Sequence, residues 1–140
     1  MANTEALKSL HTTLIDAEKG YEEAVKDAND PAMKALFETM RSLHQQAHDD
    51  VHAMLLAEGE RPAEAGSFMA MVHETVISVR SAVTGLDRPS LSSFASGEQR
   101  IVGAYDEAIE ENREDASVVD KLKQHKNQLL EMIARMKMAA

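Results

Sequence analysis

Apolar residues recur along most of the chain at steps of three and four, which is the spacing of one face of an α-helix. Five segments show this pattern, and each is bounded by glycine, proline or a short polar stretch. The boundaries lie at Asn29, Asp30-Pro31, Glu58-Gly59, Ser67, Thr84-Gly85, Pro89-Ser90 and Asn112 to Asp115. The pattern therefore predicts five helices, with Asn3 or Thr4 capping the first helix and with the third helix the shortest.

The lengths of these helices and of their connections predict the architecture. Four of the helices are long, at about 23 to 28 residues, so each extends roughly 35 to 40 Å. Short turns join the first helix to the second and the fourth to the fifth, which makes each pair an antiparallel hairpin. The long connection between the hairpins leaves room for the third helix to cross the bundle. We therefore expect an all-α fold, a ferritin-like antiparallel four-helix bundle with a shorter crossover helix, in one domain over residues 1–140.

Each long helix carries one polar residue that interrupts its apolar stripe. These residues are Glu18, His44, Glu98 and His125. Counted from the hairpin turns, all four lie at similar heights, so they are predicted to share a layer in the middle of the bundle. Carboxylates and imidazoles in such a layer either form a hydrogen-bonded network or bind iron, manganese or zinc. A complete dinuclear centre is not expected, because Arg41 and Leu122 stand where the Glu-x-x-His pattern requires bridging carboxylates.

A second candidate site follows from histidines at four-residue steps on the second helix, His44, His48 and His52. Neighbouring imidazoles at this spacing can bind one divalent cation together. Equal distances from the hairpin turn place His11 of the first helix beside His48, so His11, His48 and His52 form an alternative metal site at the surface. The other interpretation is a solvated polar face, because glutamine and aspartate residues surround these histidines in the sequence.

The composition excludes several classes of function. The 140 residues carry a formal charge of −9, so the surface would repel nucleic acid and anionic membranes. There is no cysteine, which excludes thiolate zinc sites and cysteine nucleophiles. The first ten residues lack the pattern of a signal peptide, and no stretch approaches the roughly 18 apolar residues of a membrane span, so we expect a cytoplasmic protein. Nucleophile elbows and phosphate-binding glycine loops are missing, and we expect no enzymatic activity.

Several short segments together carry a resemblance to a known family. They are Asp16-Ala17-Glu18-Lys19-Gly20-Tyr21, Asp30-Pro31 followed by Leu36-Phe37, His73 leading to Arg80-Ser81-Ala82-Val83-Thr84-Gly85, and Gly97-Glu98 with Ala104-Tyr105. Through them the chain resembles, over nearly its whole length, bacterial ferritin-like four-helix-bundle domains of unknown function. The resemblance implies a ferritin-like fold and a link to stress or metal handling, and it implies no particular reaction. His73 matches a histidine of that family to which we assign no role.

Apolar residues outside the main stripes, such as Ile77, Leu86 and Leu130, predict self-association, and we expect a homodimer. Three functions follow from the residues and the resemblance. The protein is a non-enzymatic bundle, or it holds one iron, manganese or zinc ion for redox or storage chemistry, or it is an assembly module.

Overall fold

The computed structural model of the protein describes residues 4–62 and 90–139. These residues form four α-helices: α1 (Glu5–Asp27), α2 (Pro31–Ala57), α3 (Leu91–Glu111) and α4 (Ala116–Ala139). The predicted all-α class is thereby confirmed, and the four helices correspond to the four long helices expected from the sequence. The shorter crossover helix predicted between Ser67 and Gly85 lies outside the described residues, as does His73.

Local chemistry determines where the helices begin and end. Asp30 caps α2, because its side chain accepts a hydrogen bond of 2.8 Å from the Met33 backbone N–H, and Pro31 occupies the first turn. Helix α2 ends before Gly59, whose φ of +80° is a conformation that glycine adopts without strain. Asp115 accepts a hydrogen bond of 3.3 Å from the Val118 N–H at the start of α4. At Thr4, by contrast, the hydroxyl donates to Glu60 at 3.1 Å and makes no cap hydrogen bond.

The four helices pack so that each one is antiparallel to both of its neighbours. Helix α1 packs against α2 and α3, and α4 packs against α3 and α2. The Ala6 N–H donates to Glu111 at 3.3 Å, which places the start of α1 beside the end of α3. Helices α2 and α3 occupy diagonal corners and run in the same direction, since Phe37 meets Phe94 and His44 meets Glu98. The end of α2 and the start of α3 therefore lie towards opposite ends of the bundle.

The core lies between the four helices and contains one cluster of three aromatic rings, with Tyr105 buried separately. Tyr21, Phe37 and Phe94 form this cluster, with ring centroids 4.9 to 5.9 Å apart. Phe37 is completely buried. Distances of this size are typical of favourable aromatic pairs, so the cluster ties α1, α2 and α3 together at one height. The polar residues described next lie beside it.

The exposed surface bears on two of the predictions. Leu130 on α4 exposes 39% of its surface, whereas Ile77 and Leu86 lie outside the described residues, and the homodimer stays a prediction. Among the helices of residues 4–62 and 90–139, none combines the length and the apolar character needed to cross a membrane.

Candidate functional site

A buried carboxylate joins the two hairpins in the middle of the bundle. Glu98 on α3 accepts two hydrogen bonds on the same oxygen, Oε1: one from the Tyr21 hydroxyl at 2.6 Å and one from His44 Nε2 at 2.8 Å. The exposed fractions of Tyr21, His44 and Glu98 are 4%, 0% and 1%. The Tyr21 ring also stacks on the His44 imidazole, with centroids 5.7 Å apart. Two of the four residues predicted to share a layer, His44 and Glu98, are thus in direct contact.

The electrostatics of this network keep the Tyr21 hydroxyl protonated. Burial raises the pKa of Tyr21 well above its usual value, and the negative charge of Glu98 raises it further. Tyr21 therefore acts as a hydrogen-bond donor, and the carboxylate of Glu98 is the acceptor. Tyr21 was not predicted as a site residue, because its position in the sequence continues the three- and four-residue spacing of the apolar side chains of α1. Its hydroxyl was the signal that could have identified it.

His125, the third of the four residues, has a different partner. Its Nε2 donates to Asp50 Oδ2 at 2.8 Å, with 6% of the His125 side chain and 29% of the Asp50 side chain exposed. Burial lowers the pKa of His125, and the hydrogen bond to Asp50 offsets this only in part. The imidazole is therefore neutral at neutral pH. Asp50 was not predicted as a site residue, since it lies among the polar residues of α2.

Glu18, the fourth residue, lies at the flank of the bundle and takes no part in the Glu98 network. Its Oε2 is 3.7 Å from His48 Nδ1, and 20% of its side chain is exposed. The predicted layer is thus divided among three places: His44 with Glu98, His125 with Asp50, and Glu18 with His48. Spacing of three and four residues does not distinguish the centre of an apolar stripe from its edge, and Glu18 lies at the edge.

The three residues of the alternative site, His11, His48 and His52, lie together between α1 and α2. We call them the histidine cluster. One potential ligand atom from each lies within 4.8 Å of the other two, and the residues described by the structure contain no other such group of three or more histidines and carboxylates. His11 Nε2 is 3.1 Å from His52 Nδ1, and the His11 and His48 rings meet edge to face at 4.7 Å. His11 is buried, and the other two imidazoles are partly buried.

These distances are close to those of a metal-binding site. Imidazole nitrogens bind zinc at about 2.0 to 2.1 Å, so two such nitrogens in a tetrahedral site are about 3.3 Å apart. The 3.1 Å separation of the His11 and His52 nitrogens is near this value. A nitrogen of His48 lies within 4.8 Å of a nitrogen of each of the other two rings, so side-chain rotation has to close at most about 1.5 Å to reach the tetrahedral spacing. The cluster can therefore supply three ligands to one ion.

The fold and these groups define an all-α helical bundle with a buried carboxylate network and a histidine cluster on its flank. Over residues 2–111 the chain matches the family described as Domain of unknown function (DUF2383), and it belongs to that family. The matched range includes the histidine cluster and the Tyr21, His44 and Glu98 network. Searches of the curated proteins and of the solved structures gave no match.

Proposed function

We propose that this protein binds one divalent transition-metal ion through the histidine cluster, as part of a metal-handling and non-enzymatic role. The observation that carries this proposal is the convergence of three imidazoles from two helices, with one potential ligand atom of each within 4.8 Å of the others. Zinc fits this set better than iron or manganese, because imidazole nitrogens suit zinc and the other two ions favour more carboxylate oxygen.

The contact between His11 and His52 supports a site that receives a cation. Two ring nitrogens 3.1 Å apart cannot both carry a hydrogen, so at least one of them presents a lone pair towards the other ring. A metal ion bound to both nitrogens would replace this contact. The net charge of −9 also favours a cation over an anion near this surface.

We propose that Glu18 does not bind the ion itself but orients His48, one of the three ligands. Its Oε2 lies 3.7 Å from His48 Nδ1, and a closer approach on metal binding would form a hydrogen bond that leaves Nε2 of that ring as the ligand nitrogen. Carboxylates in this position orient metal-binding imidazoles and make them better ligands, and their loss commonly lowers metal affinity about 10- to 100-fold. Glu18→Gln should therefore weaken binding without abolishing it.

The proposal is tested by calorimetric titration and thermal unfolding with zinc, using protein purified without a histidine tag or chelator. Zinc at about 100 times its dissociation constant should stabilise the folded protein by roughly 2.7 kcal/mol. We expect the stabilisation to disappear in His52→Gln and His48→Gln. The matched control is His125→Gln, the same change at an imidazole that bonds to Asp50 instead.

Three results would contradict the proposal. Zinc, manganese and iron could all fail to shift the unfolding of the wild-type protein, which would leave a structural or assembly role. The shift could survive in His52→Gln and His48→Gln. It could also be lost in Glu98→Gln and His125→Gln instead, which would place the ion in the bundle interior near these two residues.

A further inference from the structure

Four buried polar atoms in the bundle interior have no hydrogen-bond partner among the described residues. They are Glu98 Oε2, His44 Nδ1, Tyr105 Oη and His125 Nδ1. They belong to α2, α3 and α4 and are separate from the histidine cluster. Buried polar atoms in folded proteins nearly always bond to protein or to ordered water, so four such atoms in one core require an explanation.

The donors and acceptors of these groups do not balance. Glu98 already receives two donors on Oε1, so its Oε2 remains an acceptor without a donor. His44 and His125 each donate through Nε2 to a carboxylate, which makes Nδ1 an acceptor in the neutral ring. Tyr105 contributes the one hydroxyl. With both imidazoles neutral, these groups comprise three acceptors and one donor, so the missing partner must be able to donate hydrogen bonds.

Tyr105 and Glu98 lie on the same buried face of α3. They are seven residues apart, which is two helical turns or about 10.5 Å along the axis. Helical side chains lean towards the helix N-terminus, so the Tyr105 ring extends towards the level of Glu98. Burial raises the pKa of Tyr105, and the charges of Glu98 and Asp50 raise it further, so its hydroxyl keeps its proton. The His125 ring stands perpendicular to the Tyr105 ring at 6.2 Å.

We propose that the bundle interior contains a binding site for ordered water, in which a water molecule accepts from the Tyr105 hydroxyl and donates to Glu98 Oε2. Water is small and supplies two donors, which is what this acceptor-rich set lacks. The Nδ1 atoms of His44 and His125 are further acceptors for water in the same interior. Bound water would also solvate a carboxylate that otherwise receives hydrogen bonds on only one of its oxygens.

The test compares two substitutions that each remove one buried hydroxyl, Tyr105→Phe and Tyr21→Phe. If the Tyr105 hydroxyl has no partner, Tyr105→Phe removes the desolvation cost of an unpaired group, and the melting temperature rises. If it bonds to water, the melting temperature falls, as it should in Tyr21→Phe, where a direct 2.6 Å hydrogen bond is lost. We expect both variants to melt below the wild-type protein.

Nuclear magnetic resonance detects the water itself in the wild-type protein. Long-lived buried water should transfer magnetisation from its protons to the ring protons of Tyr105. In Tyr105→Phe, the transfer from water to the ring protons of the phenylalanine should be reduced or lost. A rise in the melting temperature of Tyr105→Phe overturns the proposal. Absence of water cross-peaks in the wild-type protein overturns it as well, whatever the melting temperature of the variant.

Discussion

Truncating Glu98 tests whether the buried network contributes to stability. Glu98→Ala removes the shared acceptor of Tyr21 and His44 in a place where all three side chains are at most 4% exposed. Two donors then remain buried without an acceptor, at a cost of about 1 to 3 kcal/mol each. Removal of the buried carboxylate offsets part of this cost. Breaking one side of a buried charged network typically destabilises by about 3 to 5 kcal/mol, and we expect Glu98→Ala to fall in that range.

The matched control is Glu98→Gln, which keeps an oxygen in the position of Oε1. This amide oxygen can still accept from Tyr21 and from a neutral His44, but hydrogen bonds to a neutral acceptor are about half as strong as those to a carboxylate. We expect a loss of about 1 to 2 kcal/mol. The difference between the two variants isolates the effect of the missing acceptor from the effect of the missing charge.

Urea unfolding followed by circular dichroism, in metal-free buffer, measures both variants. The unfolding free energy is the product of the midpoint concentration and the slope m, and the comparison is valid where the slope is unchanged. Equal stability of Glu98→Ala and Glu98→Gln would refute the reasoning, because it would mean that Tyr21 and His44 do not depend on an acceptor at this position.

Three further predictions concern single sites. Asp30→Ala removes the cap of α2 and should cost about 1 kcal/mol in urea unfolding, whereas an unchanged midpoint would contradict the role of its 2.8 Å hydrogen bond. Gly103→Ala should stabilise by about 0.4 to 1 kcal/mol, since a Cβ at this helical position meets no atom within 4 Å, and a lower melting temperature would contradict this. Because the pKa of His125 is lowered in the folded state, the unfolded chain takes up the extra proton. The neutral His125 imidazole should therefore contribute to the stability of the folded protein above pH ~6.5, and this contribution should be lost as the pH falls towards the lowered pKa of the folded state. Urea unfolding at several pH values should show a weaker pH dependence for His125→Gln than for the wild-type protein.

The helices could be predicted from the sequence because the signals at their ends are local. Asp30-Pro31 starts α2 through the chemistry of a cap and a first-turn proline, and Gly59 follows its end because the chain there takes a positive φ. These properties belong to one or two residues and do not depend on the rest of the fold. The spacing of apolar residues likewise identifies the face of each helix that packs inwards.

The polar contacts could be predicted only in part, because they depend on the rotation of each helix about its axis. His44 and Glu98 were identified as interruptions of apolar stripes, and the structure brings them together. Glu18 interrupts a stripe in the same manner, yet a rotation of a few tens of degrees is enough to place it on the flank beside His48. Asp50 was missed for the reverse reason, since it turns inwards from a polar face to meet His125.

The division of the Glu98 network between the two hairpins has a consequence for how the chain reaches its fold. Tyr21 and His44 come from one hairpin and Glu98 from the other, across 77 and 54 residues of sequence. Contacts within each hairpin close short loops, whereas contacts between the hairpins close longer loops at a larger entropic cost. Docking the hairpins one helical turn out of register, a shift of about 5.4 Å, would separate Glu98 from the Tyr21 hydroxyl and His44 Nε2 and leave these groups buried without their hydrogen bonds. The network therefore selects the native docking register from the alternatives that an apolar interface alone would accept.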